Sequence, residues 1–184
     1  EENKQVPYEE RKEWTRFWLV DPLDGTKEFI KRNGDFTVNI ALIENGVPVL
    51  GVVFAPVLNY TCFGAAGTGS FVAEGDAEFK QMTGGTHYSL LKKVKVVASR
   101  SHLTDDTLAF VERLREQGKV VDFVSKGSSL KLCMVAEGKA DVYPRFGPTM
   151  EWDTGAAHAV ALYAGRRVIN AVTHKPLTYN KQDL

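Results

Sequence analysis

The sequence of 184 residues predicts an α/β fold in two halves, and three patterns in the chain support this prediction. Apolar, β-branched segments joined by short turns fill the first half, which is typical of an antiparallel meander. In the second half strands alternate with helices, which favours largely parallel strands covered by helices. The change of pattern falls near Lys92–Lys93 and divides the chain into residues 1–92 and 93–184.

The first half is expected to open on a polar loop or short solvated segment over residues 1–13 and an apolar strand near Thr15–Val20. Pro22-Leu23-Asp24-Gly25 has the composition of a tight turn, and Thr26–Lys31 can form a short helix. Residues 74–92 are weakly patterned and predict either an edge hairpin or a loop. The meander strands are expected at Phe36–Ile43, Val47–Ala55, Asn59–Ala65 and Ser70–Ala73.

The second half should contain three helices. Thr104 or Asp105 can cap the first, whose Leu108, Val111 and Leu114 are expected to share one face. Ser128 or Ser129 can cap a second helix that ends at Ala136, and Asp153 can cap a long third one from Thr154 to Ala164. The strands are expected at Val94–Ala98, Val120–Val124, Ala140–Arg145 and Val168–Ala171.

Composition excludes several classes of protein. Hydrophobic residues make up 43% and charged residues 25%, which is ordinary for a globular protein. Lys and Arg together number 23, as do Asp and Glu, so no global field favours nucleic acid or an anionic membrane, and an anion site must be local. Cys62 and Cys133 lie in apolar contexts, which favours free thiols in the core over a disulfide. No apolar stretch approaches membrane-spanning length.

The end of the first strand carries the strongest chemical signal. Asp21 and Asp24 follow the apolar run, and Gly25 and Thr26 come directly after them at a helix start. Carboxylates bind hard divalent cations, and backbone N–H groups at a helix start bind phosphate, so the pattern suits metal-assisted phosphoryl transfer to water. A strand–turn–helix corner with a capping aspartate is the structural alternative.

Further candidate residues follow other predicted strands. Asp153 can be a second acid of the site or only a helix cap. The loops 99–102 and 126–131 follow strands, where ligands bind in α/β folds, although their serines can also act as caps. Arg145 can hold an anion or pair with a surface acid.

Two segments resemble the signatures of a known family. Asp21-Pro22-Leu23-Asp24-Gly25-Thr26 and Trp152-Asp153-Thr154-Gly155-Ala156-Ala157 are similar to those of the Mg²⁺-dependent, lithium-sensitive phosphatases of the inositol monophosphatase superfamily. The strings Trp18–Arg32, Gly127–Cys133 and Tyr143–Val160 are closest to its CysQ-type 3'(2'),5'-bisphosphate nucleotidase branch. The resemblance implies a layered αβαβα sandwich.

The resemblance also implies residue roles and a cofactor. Two or three Mg²⁺ ions would be held by side chains or by a backbone carbonyl, with Asp21 shared between two ions. Gly25 and Thr26 would offer backbone N–H groups to the phosphate, and the Thr26 hydroxyl would orient the attacking water. The implied metal ligands are Glu1, Asp21, Leu23 (through its carbonyl), Asp24 and Asp153, and the implied nucleotide-binding residues are His102, Ser128, Lys131 and Arg145.

The implied reaction is removal of the 3'-phosphate from adenosine 3',5'-bisphosphate, or from 3'-phosphoadenylyl sulfate. An inositol monophosphatase is the alternative within the family. The chain lacks an initiator Met, and we expect it to be a piece of a longer chain without the family's N-terminal helices and last strand. A catalytically silent phosphate-binding fragment is therefore a further alternative.

The expected partner is a small-molecule nucleotide bisphosphate, with no nucleic acid and no obligatory membrane. The expected location is the cytoplasm, with peripheral association with the inner membrane left open, and the sequence leaves the oligomeric state open.

Overall fold

The computed structural model describes residues 6–98 and 104–183. A 3₁₀ turn covers Tyr88–Leu90. The helices are α1 (Tyr8–Arg11), α2 (Thr26–Ile30), α3 (Asp105–Glu116), α4 (Leu130–Ala136) and α5 (Glu151–Tyr163). The strands are β1 (Arg16–Asp24), β2 (Thr37–Glu44), β3 (Val47–Ala55), β4 (Tyr60–Ala65), β5 (Gly69–Glu74), β6 (Lys80–Met82), β7 (Lys93–Ala98) and β8 (Val120–Ser125).

The predicted α/β class is confirmed. Strands β1 to β6 form one antiparallel sheet in chain order, and β7 pairs with β8 in parallel. Val96 packs with α3 and Val97 with α4, so the two helices cover opposite faces of the parallel pair. The described layers are thus the large sheet, α4 with α5, the parallel pair, and α3.

The predictions of strands at Ala140–Arg145 and Val168–Ala171 are wrong, because each segment forms only one isolated β-bridge. Val142 pairs with Val96, but the Asp141 carboxylate accepts the N–H of Lys95 at 2.7 Å and Pro144 has no N–H to donate. Near the chain's end, Ile169 pairs with Pro176 in the same isolated manner.

The predicted tight turn at Pro22–Gly25 is also wrong, because β1 continues through it to Asp24. Pairing with β2 keeps this segment extended, and the register shifts between Asp21 and Asp24. The segment between Asp21 and Asp24 forms a β-bulge instead of a turn.

Three smaller expectations also differ. Tyr8–Arg11 is a short helix inside the predicted loop. On α3, Leu108 is 48% exposed, and Thr107 is buried beside Val111 and Leu114 in its place. Asp153 lies in the first turn of α5 rather than at its cap, because the helix begins at Glu151, three residues before the predicted start at Thr154.

Helix α5 packs closely on the large sheet because glycine and alanine meet at the contact. A Cβ atom at Gly51 would lie 2.2 Å from the Ala156 carbonyl oxygen, and one at Gly64 would lie 2.7 Å from that of Ala159. The resulting core joins residues of the sheet to residues of α4 and α5. It includes Cys62 and Cys133, which are both buried with free thiols, as predicted.

The other face of the large sheet is apolar and exposed in the described part of the chain. Trp18 is 58% exposed and Val20 is 53% exposed, and Ile40 and Phe54 add to the same face. These side chains alternate along the strands with the buried ones that face α5.

Within residues 6–98 and 104–183, no helix has the length and apolar character needed to cross a membrane.

Candidate metal centre and active site

A β-bulge at the end of β1 brings the two aspartates of the first signature to one side of the sheet. Residues three apart on a regular strand point to opposite faces. Here Asp21 pairs with Asn39 and Asp24 with Thr37, so three steps on β1 match two steps on β2. The extra residue restores a common side, and both acids lie on the face that packs against α5.

Asp153 completes a cluster of three carboxylates. One carboxylate oxygen from each of Asp21, Asp24 and Asp153 lies within 4.8 Å of the others. Asp153 is held at the start of α5, where its Oδ2 accepts the N–H of Met150 at 2.9 Å. Asp21 is 6% exposed, and its Oδ1 accepts the N–H of Leu23 at 3.0 Å. Three converging carboxylates form a donor set that fits Mg²⁺.

Asp24 is oriented by donors from the other half of the chain. Its Oδ2 accepts the N–H of Ser129 at 2.7 Å, the Ser129 hydroxyl at 2.9 Å and the Ser128 hydroxyl. Thr37 and Asn39 lie further away, each 3.4 Å from the same oxygen. Since these donors all reach Oδ2, the carboxylate has one fixed orientation.

Asn39 lies in this network with one group unsatisfied. Its Nδ2 donates to the Ser129 hydroxyl at 3.0 Å, while its buried Oδ1 has no hydrogen-bond partner among the described residues. A buried acceptor without a donor is costly, and such atoms concentrate at functional sites. The orphaned oxygen therefore fits a functional role for this cluster.

A cationic rim lies near the acids. Lys131 is 8% exposed, its Nζ donates to the Ser128 carbonyl at 2.7 Å, and it lies 5.5 Å from the centre of the Tyr143 ring. Burial lowers the pKa of the Lys131 ammonium, against the opposing effect of Asp24. Burial raises the pKa of the Tyr143 hydroxyl to about 12.

Arg145 continues this rim. Its Nη2 donates to the Pro148 carbonyl at 2.9 Å, and its side chain lines a cleft with Thr104, Tyr143 and Phe146. The cleft includes Ala98, the last residue of β7, so it lies where a strand of the parallel pair ends.

Of the remaining predicted residues, three lie in the described part of the chain and two do not. Gly25 has φ +92° and precedes α2, and a Cβ atom there would lie 3.3 Å from that of Ser128. Leu23 lies on the bulge between the two acids, and Thr26 is the exposed first residue of α2. Glu1 and His102 lie outside the described residues.

Sequence reasoning missed the polar residues that support the acids. Thr37 and Asn39 are buried on the inner face of β2, where the alternation predicts apolar side chains, and that departure was the available signal. Asp35 was missed as well. It accepts Lys126 Nζ at 2.7 Å and the N–H of Gly127 at 3.3 Å, and so ties the loop before β2 to the loop after β8.

Comparison with known proteins agrees with this geometry. The family model described as "Inositol monophosphatase family" matches residues 1–184. The 3'(2'),5'-bisphosphate nucleotidase CysQ of Salmonella typhimurium is 52% identical over 164 residues, which cover 88% of this chain and 61% of that protein. The chain thus spans about three fifths of that relative's length.

Two solved structures are similar over most of the chain. CysQ from Bacteroides thetaiotaomicron matches with a TM-score of 0.89 and 47% identity, covering 100% of this chain and 72% of that one. The inositol monophosphatase from Anabaena matches with a TM-score of 0.71 and 27% identity, covering 91% and 64%.

Proposed function

Because this chain belongs to the inositol monophosphatase family, we propose that it is a Mg²⁺-dependent phosphatase acting on adenosine 3',5'-bisphosphate. The reaction removes the 3'-phosphate and gives AMP and phosphate. 3'-Phosphoadenylyl sulfate, which would give adenylyl sulfate, carries the same group. The observation that carries this proposal is the identity of 52% to a protein named as a bisphosphate nucleotidase, against 27% to an inositol monophosphatase.

The acid cluster would hold the metal. Asp21, Asp24 and Asp153 converge within 4.8 Å, and the Leu23 carbonyl and Glu1 are further ligands implied by the family pattern. We propose two or three Mg²⁺ ions there. When bound, Mg²⁺ supplies Lewis acidity, which lowers the pKa of a bound water and neutralises charge on phosphate and leaving oxygens.

The neighbouring groups would bind and orient the substrate. Gly25 and Thr26 would offer N–H groups to the phosphate, and the exposed Thr26 hydroxyl would orient the attacking water. Ser128 and His102 would contact the nucleotide. Substrate and enzyme would meet in the cytoplasm.

The rim favours a nucleotide over a polyol. Lys131 lies over the Tyr143 ring, and Arg145 lines a cleft with Tyr143 at the end of β7. A 5'-phosphate would gain from these charges, whereas the neutral ring of an inositol phosphate would gain less. The proposal therefore depends on the rim for substrate choice and on the acids for chemistry. The two halves of the chain, residues 1–92 and 93–184, would each contribute to the site.

A substrate comparison tests the proposal. We expect the full-length gene product, in Mg²⁺, to release phosphate from adenosine 3',5'-bisphosphate with a kcat/KM at least about tenfold above that for inositol 1-phosphate, a difference of roughly 1.4 kcal/mol in transition-state binding. A preference for the inositol compound would overturn the substrate assignment. The 184-residue chain is assayed in parallel, because phosphate release by it would exclude a silent fragment.

Asp21→Asn tests the metal site within the same assay. We expect turnover to fall to background, because the substitution removes a charged ligand from the cluster. Asp122→Asn is the matched control, since Asp122 is a surface acid paired with Lys93. Wild-type turnover in Asp21→Asn would contradict the assigned site.

A further inference from the structure

We propose that Ser129 is a positioning residue that fixes the orientation of Asp24 and links it to the element that carries Asp153. This inference rests on the proposed function only in assigning Mg²⁺ to the acid cluster. The contacts on which it depends are those of Ser129 itself.

Ser129 contacts the cluster through both its backbone and its side chain. Its N–H lies 2.7 Å and its hydroxyl 2.9 Å from Asp24 Oδ2. The same hydroxyl lies 3.0 Å from the Asp153 carbonyl oxygen and accepts Asn39 Nδ2 at 3.0 Å. One hydroxyl therefore touches three elements: β1, β2 and α5.

The relative strength of the acceptors decides where the Ser129 hydroxyl donates its proton. A serine hydroxyl has one proton, and the carboxylate is a stronger acceptor than the Asp153 carbonyl because it is charged. The proton therefore points mainly to Asp24, with the Asp153 carbonyl as the weaker acceptor of the same three-centre bond, while the oxygen accepts from Asn39. Two donors from Ser129 then converge on Oδ2 and fix the orientation of the Asp24 carboxylate.

The surroundings make Ser129 rigid. It is 5% exposed, and Leu130 and Cys133, which follow it on α4, are buried in the core. Asn39 is 1% exposed. Buried hydroxyls are normally hydrogen-bonded, and the partners of this one among the described residues belong to the acid site.

Ser128 differs from Ser129 in this respect. It donates to the same oxygen of Asp24, but it is half-buried and its other hydroxyl contact is Thr37. Ser128 thus relates Asp24 to β2, whereas Ser129 also relates it to α5. Loss of the Ser129 hydroxyl is therefore expected to disturb the spacing of the acids rather than the substrate rim.

The test measures Mg²⁺ affinity without substrate, by calorimetric titration of the full-length protein. We expect Ser129→Ala to weaken Mg²⁺ binding about tenfold, the lower end of the range seen when a residue that orients a metal ligand is removed. Ser129→Thr keeps the hydroxyl and is expected to retain wild-type affinity. In the kinetic assay, Ser129→Ala should need about tenfold more Mg²⁺ for half-maximal kcat.

Ser70→Ala is the matched control. Ser70 is also fully buried, and its hydroxyl donates to the Phe63 carbonyl at 3.1 Å, away from the acids. Thermal unfolding in EDTA compares the two variants. We expect similar losses of stability from both and a loss of Mg²⁺ affinity from Ser129→Ala alone.

The outcomes separate this inference from the proposed function. Wild-type Mg²⁺ affinity in Ser129→Ala, an equal loss in Ser70→Ala, or no Mg²⁺ binding by the wild type would each overturn the positioning role. If the wild type cleaves neither substrate but binds Mg²⁺ more tightly than Ser129→Ala, the function fails and the role of Ser129 stands.

Discussion

Asp24 is one of the residues at which the two halves of the chain meet. It belongs to β1, yet its Oδ2 is held by Ser128 and Ser129, which precede α4. Docking of the second half is therefore coupled to the orientation of a metal ligand in the first. A change at Ser129 therefore acts on the site through Asp24.

Single residues also show how far the sequence could predict the site. Asp21, Asp24 and Asp153 could be named because a carboxylate at a strand or helix end is a local signal. The roles of Asn39 and Ser129 could not, because they depend on a contact between residues 90 positions apart. Ser129 itself was expected only as a cap.

The buried His158 leads us to predict a pH dependence of the free energy of unfolding. It is 4% exposed on α5, its Nδ1 lies 2.9 Å from the Tyr179 hydroxyl, and burial lowers its pKa from 6.5 to about 4. The folded state therefore keeps the ring neutral, whereas the unfolded chain takes up a proton below pH 6.5. This contribution to stability is complete above pH 6.5 and is lost as the pH falls toward 4, by up to about 3 kcal/mol.

Urea unfolding between pH 7 and pH 4.5 measures this effect. We expect the free energy of unfolding to fall less steeply with decreasing pH in His158→Asn than in the wild type, because Asn cannot take up the proton. His174→Asn removes an exposed histidine and should keep the wild-type slope. Equal slopes in all three proteins would contradict a buried, neutral His158.

At the scale of elements, the contact of α5 with the large sheet sets the position of Asp153. Gly51 and Gly64 on the sheet meet the backbone of α5 at Ala156 and Ala159. Because these contacts leave no room for a side chain, the helix has one height above the sheet. The acids on β1 and α5 are spaced accordingly.

Gly51→Ala is predicted to disturb both stability and metal binding. The added Cβ would lie 2.2 Å from the Ala156 carbonyl oxygen, so α5 must move away. We expect a loss of about 3 kcal/mol in the free energy of unfolding, at the upper end of overpacking costs, and weaker Mg²⁺ binding.

Chemical denaturation and the Mg²⁺ titration provide the two measurements for Gly51→Ala. Gly147→Ala serves as the control for stability, since its Cβ would come no closer than 3.7 Å to another group, the Arg145 guanidinium. If Gly51→Ala and Gly147→Ala were equally stable, the close approach of α5 would not be a constraint.

Elements were predicted well where the hydrophobic residues alternate regularly along the chain. They were predicted poorly where local turn composition and strand pairing favour different structures. The strand Val47–Ala55 has its predicted bounds because alternation and a hairpin turn agree there. The turn predicted at Pro22–Gly25 failed because local turn chemistry competed with pairing to β2 and lost. Such a competition depends on a partner strand that the local sequence does not contain.

At the scale of the whole molecule, the core crosses the boundary that the sequence suggests at Lys92–Lys93. Ala41 and Val53 of the large sheet pack in one cluster with Leu130 of α4 and Val160 of α5. The division into residues 1–92 and 93–184 therefore stays a prediction about chain pattern. Because the two halves share one core, we expect that neither half is stable alone.

That claim predicts one cooperative unfolding transition. Trp14 and Trp18 report on the first half and Trp152 on the second, so Trp152→Phe and Trp14→Phe/Trp18→Phe separate the two signals within this chain. We expect coincident midpoints in urea from both reporters and from circular dichroism, because unfolding either half exposes the same core. Two separated transitions would instead assign each half its own stability, and the metal site would then form only when two independently folded units dock.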